Sequence, residues 1–308
     1  MTDSDRPALG IVLMLGFCLL IPFADAISKI LGATLPVVMI VVARFLSQTV
    51  LLSPLVLGKS PTIRKDQIGA IAIRAALQII GICLMFFSLL YLPLADAIAI
   101  AFVMPFILLL LGWWFLDEVV GKARLTACAV GFAGTLMVVQ PSFAEVGWPA
   151  VMPIGVAIVY ALFVLQTRRL AQDISAIELQ AASGAIATAV LVPLLVVGTV
   201  LGIPQLGFEM PTAWEWTLLA TTGVVGTLAH LLMTLSLRFA PAATLAPMQY
   251  LEIPFAAAVG FAIFGDFPNG LALLGICITI AAGLFIIWRE QRQSSAIGSR
   301  SQGNSPAE

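Results

Sequence analysis

Charge is what this sequence has least of. Of its 308 residues, 10% are Asp, Glu, Lys or Arg, whereas 61% are hydrophobic, and the mean hydropathy is +1.08. A chain that folds in water carries roughly a quarter charged residues, so this one would leave far too much apolar surface wet. Histidine occurs once, as His230, and Cys18, Cys83, Cys128 and Cys277 all lie in apolar stretches without CxxC or Cys/His ligand spacing. That pattern excludes a disulfide framework and a recognisable metal motif, and the cysteines read as buried free thiols. There is no Walker-type phosphate loop, no HExxH and no serine-nucleophile motif, which speaks against ATP hydrolysis and against an intramembrane enzyme. A net charge of −1 gives no footprint for nucleic acid. No cofactor is expected.

What the sequence does have is long apolar stretches, at 8–30, 35–57, 68–91, 94–116, 124–140, 149–167, 176–199, 215–237, 242–264 and 270–288. Most have about the 20 residues needed to cross a hydrocarbon core ~30 Å thick as a helix. Helix breakers separate them: Gly32 to Pro36, Gly58 to Pro61, Leu92-Pro93, Gln140-Pro141, Pro204 to Pro211, Ala240-Pro241 and Phe267-Pro268. Asp3, Asp5 and Arg6 make a poor signal-peptide start, so the first stretch reads as a retained helix. Residues 289–308, rich in Ser, Gly, Gln and Asn, read as a disordered cytoplasmic tail.

The basic residues orient the spans. With the N-terminus cytoplasmic and the spans alternating, inside segments hold Arg6, Lys59, Arg64, Lys65, Lys122, Arg124, Arg168, Arg169, Arg238, Arg289, Arg292 and Arg300. Outside segments hold Lys29 alone, with Arg44 and Arg74 within spans. This is a positive-inside pattern with an even span count. Trp113, Trp114 and Trp288 fall at inner ends, and Trp148, Trp214 and Trp216 at outer starts, as two aromatic belts. The halves also resemble each other. Phe87-Ser-Leu-Leu-Tyr-Leu-Pro93 matches Leu235-Ser-Leu-Arg-Phe-Ala-Pro241, Pro105 matches Pro254, Asp117-Glu118 matches Gly265-Asp266, and Gly134 matches Gly283. Each half has an odd number of spans, so the second half enters from the opposite side. The expected fold is an all-α membrane protein of ten transmembrane helices, built as two inverted five-helix repeats at 8–140 and 149–288, with both termini cytoplasmic. Inverted repeats place a binding site near the midplane at their interface.

Charge inside hydrocarbon costs at least ~2.5 kcal/mol, so each such residue needs a reason. Glu252 lies about 15 Å into the ninth span at 1.5 Å per residue, near the midplane. It shares a helix face with Gln249 and Leu245 and is flanked by Pro247 and Pro254, which free carbonyls. It reads as a substrate or proton site, or as a carboxylate held for architecture. Arg44 is also deep, with Ser47 and Gln48 continuing its stripe. Asp25 and Lys29 form an i, i+4 pair, and with Arg44 they read as one outer network, either structural or a gate. Asp96 reads as solvated at an outer end. Arg74 reads as snorkelling to the cytoplasm. His230 reads as an interhelical hydrogen-bonder or a proton relay, and Tyr160 and Tyr250 need hydroxyl partners or stack on a ligand. Small residues at Ala127, Gly131, Gly134, Gly275 and Gly283 allow close packing within the chain or support a homodimer.

Phe23-Ala-Asp-Ala-Ile-Ser-Lys29 followed by Arg44, Leu92-Pro-Leu-Ala-Asp-Ala-Ile-Ala, Leu116-Asp-Glu-Val-Val-Gly121 and Gln249-Tyr-Leu-Glu-Ile-Pro254 resemble the EamA-type branch of the drug/metabolite transporter superfamily. The resemblance covers residues 8 to 288 and departs at Gly265-Asp266, where the family often has Gly-Glu. It implies a ten-helix carrier with a central cavity, moving amino acids, amines, riboflavin, nucleotide sugars or S-adenosylmethionine, and the Asp–Lys–Arg start is similar to the last group. The expected function is therefore a secondary transporter of a small polar metabolite in the lipid bilayer of the cell inner membrane, proton-coupled or exchanging. A channel-like facilitator is the alternative.

Overall fold

With no water in the hydrocarbon, each backbone N–H and C=O must be satisfied within its own segment, and helices are what such a sequence forms. The computed structural model describes residues 6–57, 63–89, 100–139, 151–265 and 269–302, and no strand occurs among them. Asp96, Pro93, Trp148 and Asp266 lie outside the described residues. The helices are α1 (Pro7–Leu31), α2 (Val37–Val56), α3 (Ile68–Leu89), α4 (Met104–Leu116), α5 (Lys122–Val139), α6 (Val151–Asp173), α7 (Ala176–Val200), α8 (Ala213–Phe239), α9 (Ala242–Leu245), α10 (Glu252–Phe264) and α11 (Gly270–Gln302). The ninth span comprises α9, a 3-10 segment at Ala246–Leu251, and α10. Among the described residues, eight helical spans are long and apolar enough in themselves to cross a membrane, and Met104–Leu116 is a shorter apolar helix.

The breakers act where expected. Pro36 precedes α2 and Pro241 precedes α9, each in extended conformation. Ser175 caps α7 by accepting from the Glu178 N–H at 3.3 Å, and Thr212 with Glu215 forms a capping box on α8. The last helix runs past its apolar stretch to Gln302, so the polar segment assigned to a disordered tail begins as helix. Extending an anchored helix needs no new nucleus, and that removes the main cost.

The broadest packing joins one half to the other, always antiparallel. Ser28 on α1 bonds Thr222 on α8 at 3.1 Å, and Arg6 at one end donates to the Phe239 carbonyl. On the α3–α6 pair, Gln166 reaches the Ala70 carbonyl while Gly155 faces Leu84. Thr49 on α2 meets Thr188 on α7 at 3.2 Å, and Gly134 on α5 meets Gly275 on α11. A two-fold axis exchanging the halves swaps α1–α8 with α6–α3 and maps α2–α7 and α5–α11 onto themselves. That is the arrangement an inverted duplication requires.

The local geometry repeats as well. Ser88 and Ser236, equivalent at an offset of 148, each donate to the carbonyl three residues back, Met85 and Met233, at 2.8 Å. Helices α4 and α10 are both 13 residues long. Each is stopped by a residue in the left-handed region, Asp117 at φ 51 and Gly265 at φ 75. Glycine adopts that conformation freely, and Asp is among the few other residues that tolerate it.

The small-residue faces are used inside the chain. A Cβ on Gly134 would stand 2.9 Å from the Gly275 carbonyl, one on Gly131 would stand 2.6 Å from the Tyr250 ring, and one on Gly283 would meet Leu251.

Candidate functional site

The site begins with two missing N–H groups. Pro247 and Pro254 cannot donate to the carbonyls of Ala243 and Tyr250 four residues back. Between them the ninth span tightens into the 3-10 segment and resumes as α-helix at Glu252. Glu252 thus occupies the first turn of α10, where the positive end of the helix dipole favours a carboxylate. The fourth span is broken at the equivalent place: residues 102–103 form a turn, and Pro105 sits in the first turn of α4. The two breaks meet. The Tyr250 hydroxyl donates to the Phe102 carbonyl at 3.1 Å, and the two rings lie 6.1 Å apart. Tyr250 and Phe102 are themselves equivalents at the 148-residue offset, so this contact lies on the pseudo-two-fold axis. With its hydroxyl engaged and its ring on Gly131, Tyr250 supports the site from behind.

Around Glu252 the structure gathers most of the residues singled out in the sequence. Asp25, Cys18 and Tyr160 are the titratable neighbours of its carboxylate. No hydrogen bond or ion pair to that carboxylate occurs among the described residues. Cys18 on α1 donates to the Met248 carbonyl at 3.6 Å, which sets α1 against the break. Asp25 pairs with Arg44 at 3.2 Å, their side chains 56% and 20% exposed, so the chain itself does not close over this pair. Gly226 makes room for Arg44, since a Cβ there would stand 3.1 Å from Nε. Lys29 does not join this pair: its ammonium sits 4.4 Å over the Phe264 ring, so the expected trio of Asp25, Lys29 and Arg44 is divided. Tyr160 donates to the Met233 sulfur at 3.7 Å. His230 lies between Phe17 and Phe163, with ring centroids at 5.9 and 6.2 Å.

Several buried polar atoms have no hydrogen-bond partner among the described residues. Near Glu252 they are both amide atoms of Gln249, and elsewhere His230 Nδ1, Gln78 Oε1 and Thr244 Oγ1. Leaving a buried polar group unpaired costs roughly 1–3 kcal/mol, so such a group calls for a reason.

Beside the cleft lies a polar network that sequence reasoning misread. Arg74 does not snorkel; it is 0% exposed. Its guanidinium donates to Thr167 Oγ1 at 2.7 Å, Ser183 Oγ at 2.7 Å and Gln180 Oε1 at 3.2 Å, and lies 4.8 Å over the Phe163 ring. Gln48 donates to the Gln180 carbonyl at 2.6 Å, and Gln180 donates to Thr234 at 3.1 Å. Gln48 therefore belongs to this network and does not extend the Arg44 stripe. A visible signal was present: Gln180 and Ser183 sit one turn apart inside an apolar helix, where polar residues need partners.

Two surface grooves lie elsewhere, one of about 570 Å³ beside Trp113, Glu118 and Leu125, and one of about 250 Å³ beside Leu46 and Val224. Neither includes the cleft residues. No group of three or more His, Cys, Asp or Glu fit to hold a metal occurs among the described residues.

Two helical repeats related by a two-fold axis, meeting at broken spans beside a partly buried carboxylate, are an architecture of multi-pass membrane transporters. The chain belongs to the EamA-like transporter family, whose model matches residues 8–140 and again 147–288. It is 31% identical over 220 residues to a riboflavin transporter of Rhizobium johnstonii, covering 71% of this chain and 70% of that one. It is 28% identical over 275 residues to an S-adenosylmethionine uptake transporter of Rickettsia bellii, covering 88% and 90%. It is 27% identical over 260 residues to a pseudopaline exporter of Pseudomonas aeruginosa, covering 84% and 88%. A crystal structure with 15% identity superimposes with a TM-score of 0.76 over 94% of this chain and 99% of the other, which shows a shared fold.

Proposed function

We propose that this transporter is a secondary carrier that moves a small polar metabolite with a cationic centre across the cell inner membrane by alternating access. Glu252 takes either that centre or a proton. The observation that carries the reading is the set of unpartnered groups at the ninth-span break: a carboxylate beside a Gln249 amide whose donor and acceptor are both unused. The charge available to a ligand is negative. Asp25 is neutralised by Arg44, and Arg74 is enclosed by its three acceptors, which leaves Glu252. Tyr160, which is only partly buried, supplies aromatic surface for a ring or a cation. Among the molecules in the relatives' names, S-adenosylmethionine meets these requirements better than riboflavin, because it carries positive charge. The basic residues support cytoplasmic termini and place the Glu118 and Arg168 end of the bundle inside.

The test is thermal stabilisation of the purified protein by S-adenosylmethionine, riboflavin and small amines, followed by counterflow into proteoliposomes for those that bind. Cationic ligands should stabilise it and show trans-stimulation. Stabilisation by riboflavin alone would refute the cationic reading, and flux without trans-stimulation would indicate a channel-like facilitator.

A further inference from the structure

Glu118 follows the left-handed residue that ends α4, where its N–H donates to the Gly112 carbonyl at 3.1 Å. Its side chain turns across to the other half and accepts the first backbone N–H groups of the ninth span, Ala242 at 3.0 Å and Ala243 at 2.7 Å. Arg168 on α6 stands 3.8 Å from the same carboxylate and donates to the carbonyls of Leu237 at 2.6 Å and Arg238 at 3.1 Å, the end of α8. Gln172 reaches the same two carbonyls, and Arg169 donates to the Phe115 carbonyl of α4 at 2.9 Å. Four span ends, one from the first half and three from the second, thus converge on one carboxylate. Its side chain is 10% exposed and that of Arg168 is 11% exposed. Gly112 permits the approach, because a Cβ there would stand 3.1 Å from Glu118 Oε2.

At the opposite end the Asp25 side chain is half-exposed, whereas that of Glu118 is enclosed. The segment that Glu118 grips, Ala242 to Leu251, leads directly into Gln249 and Glu252. A carboxylate holding two N–H groups and an arginine makes charge-assisted bonds, which are strong but few, and so is suited to being made and broken as a unit.

We propose that Glu118, with Arg168, is the latch that keeps this end of the carrier shut. By holding the first turn of the ninth span, Glu118 also acts as a positioning residue for the polar break. Releasing the latch opens a path from the Glu118 end toward Cys18, which is fully buried against Met248. The proposal goes beyond the substrate reading above and does not depend on which molecule is carried.

Cys18 is a native reporter. Its reaction with a membrane-impermeant, charged methanethiosulfonate is followed by peptide mass mapping, which separates it from the exposed Cys83 and Cys277. The reagent is added from each side in turn to oriented vesicles holding the full chain. Glu118→Gln and Arg168→Gln should each raise the Cys18 rate from the Glu118 side at least about fivefold and lower it from the Asp25 side, as a shift in a two-state equilibrium requires. Gly112→Ala crowds the carboxylate without removing a charge, and it should move both rates in the same directions. Rates within about twofold of wild type from the Glu118 side in all three variants would overturn the proposal. So would equal increases from both sides, which signify general loosening. No transported substrate enters the assay, so its failure is distinct from failure of the transport reading.

Discussion

Arg74 is a buried cation whose partners among the described residues are neutral, and that predicts an unusual order of substitutions. Replacing it with Met removes three hydrogen bonds, yet the partners are largely provided for. Thr167 still donates to the Phe163 carbonyl at 2.7 Å, and Gln180 Oε1 keeps Gln48 Nε2 at 3.2 Å. The main orphan is the Ser183 hydroxyl, worth roughly 1–3 kcal/mol. Against that, Met avoids holding a cation within the membrane, which costs about 2.5–3.5 kcal/mol on insertion scales. With about 0.5–2 kcal/mol more for the lost contact with the Phe163 ring, the net change for Arg74→Met centres near zero, with a spread of about 2 kcal/mol either way, by the same logic that makes buried ion pairs replaceable by apolar groups. Arg74→Lys keeps the buried charge but cannot reproduce a planar fork directed at three acceptors, so it should destabilise by roughly 2–4 kcal/mol. Thermal unfolding in detergent, followed by tryptophan fluorescence, compares the two. The expected order of melting temperatures is wild type close to Met, with Lys clearly lower. Lysine equal to or above Met would refute the premise that geometry, rather than charge, is what the network accommodates.

Other expectations follow from the same contacts. Gly134→Ala places a methyl 2.9 Å from the Gly275 carbonyl and 2.8 Å from Thr279. Overpacking of backbone on backbone should cost about 1–3 kcal/mol or more, read as a lower melting temperature. Asp25→Asn removes an ion pair whose acid is 56% exposed, so stability should change by no more than about 1 kcal/mol while transport falls. A large stability loss with normal transport would make the pair architectural. Gly226→Ala crowds Arg44 and should reproduce the transport defect of Asp25→Asn.

How much of this could be read from the sequence depended on the range of the interaction. The spans, their breakers and the repeat were legible because they rest on local periodicity and on an offset that text alone displays. Pro105 and Pro254 located the breaks in α4 and α10, since a missing N–H acts within four residues. Glu252 and Gln249 were legible as neighbours because they share one helix face. Arg74 was misread because its acceptors, Thr167, Gln180 and Ser183, lie on two helices of the other half, and nothing local distinguishes a snorkelling arginine from an enclosed one. Tyr250 reads from the sequence as needing a hydroxyl partner or stacking on a ligand, and the partner is the carbonyl of its own symmetry mate, Phe102, which only the axis defines. Lys29 was grouped with Asp25 by i, i+4 spacing, yet the facing ring of Phe264 takes it. Glu118 was seen as part of a family-like motif, while its role as a cap on the ninth span required the packing of both halves.

Glu252, at the break of the ninth span, is the residue proposed to bind the transported charge. Counterflow with a cationic ligand identified by thermal shift tests it most directly, comparing wild type with Glu252→Gln in proteoliposomes across a range of pH. The Gln variant, folded and with an unchanged melting temperature, should lose trans-stimulated uptake and its pH dependence. Wild-type, pH-dependent counterflow by Glu252→Gln would contradict it.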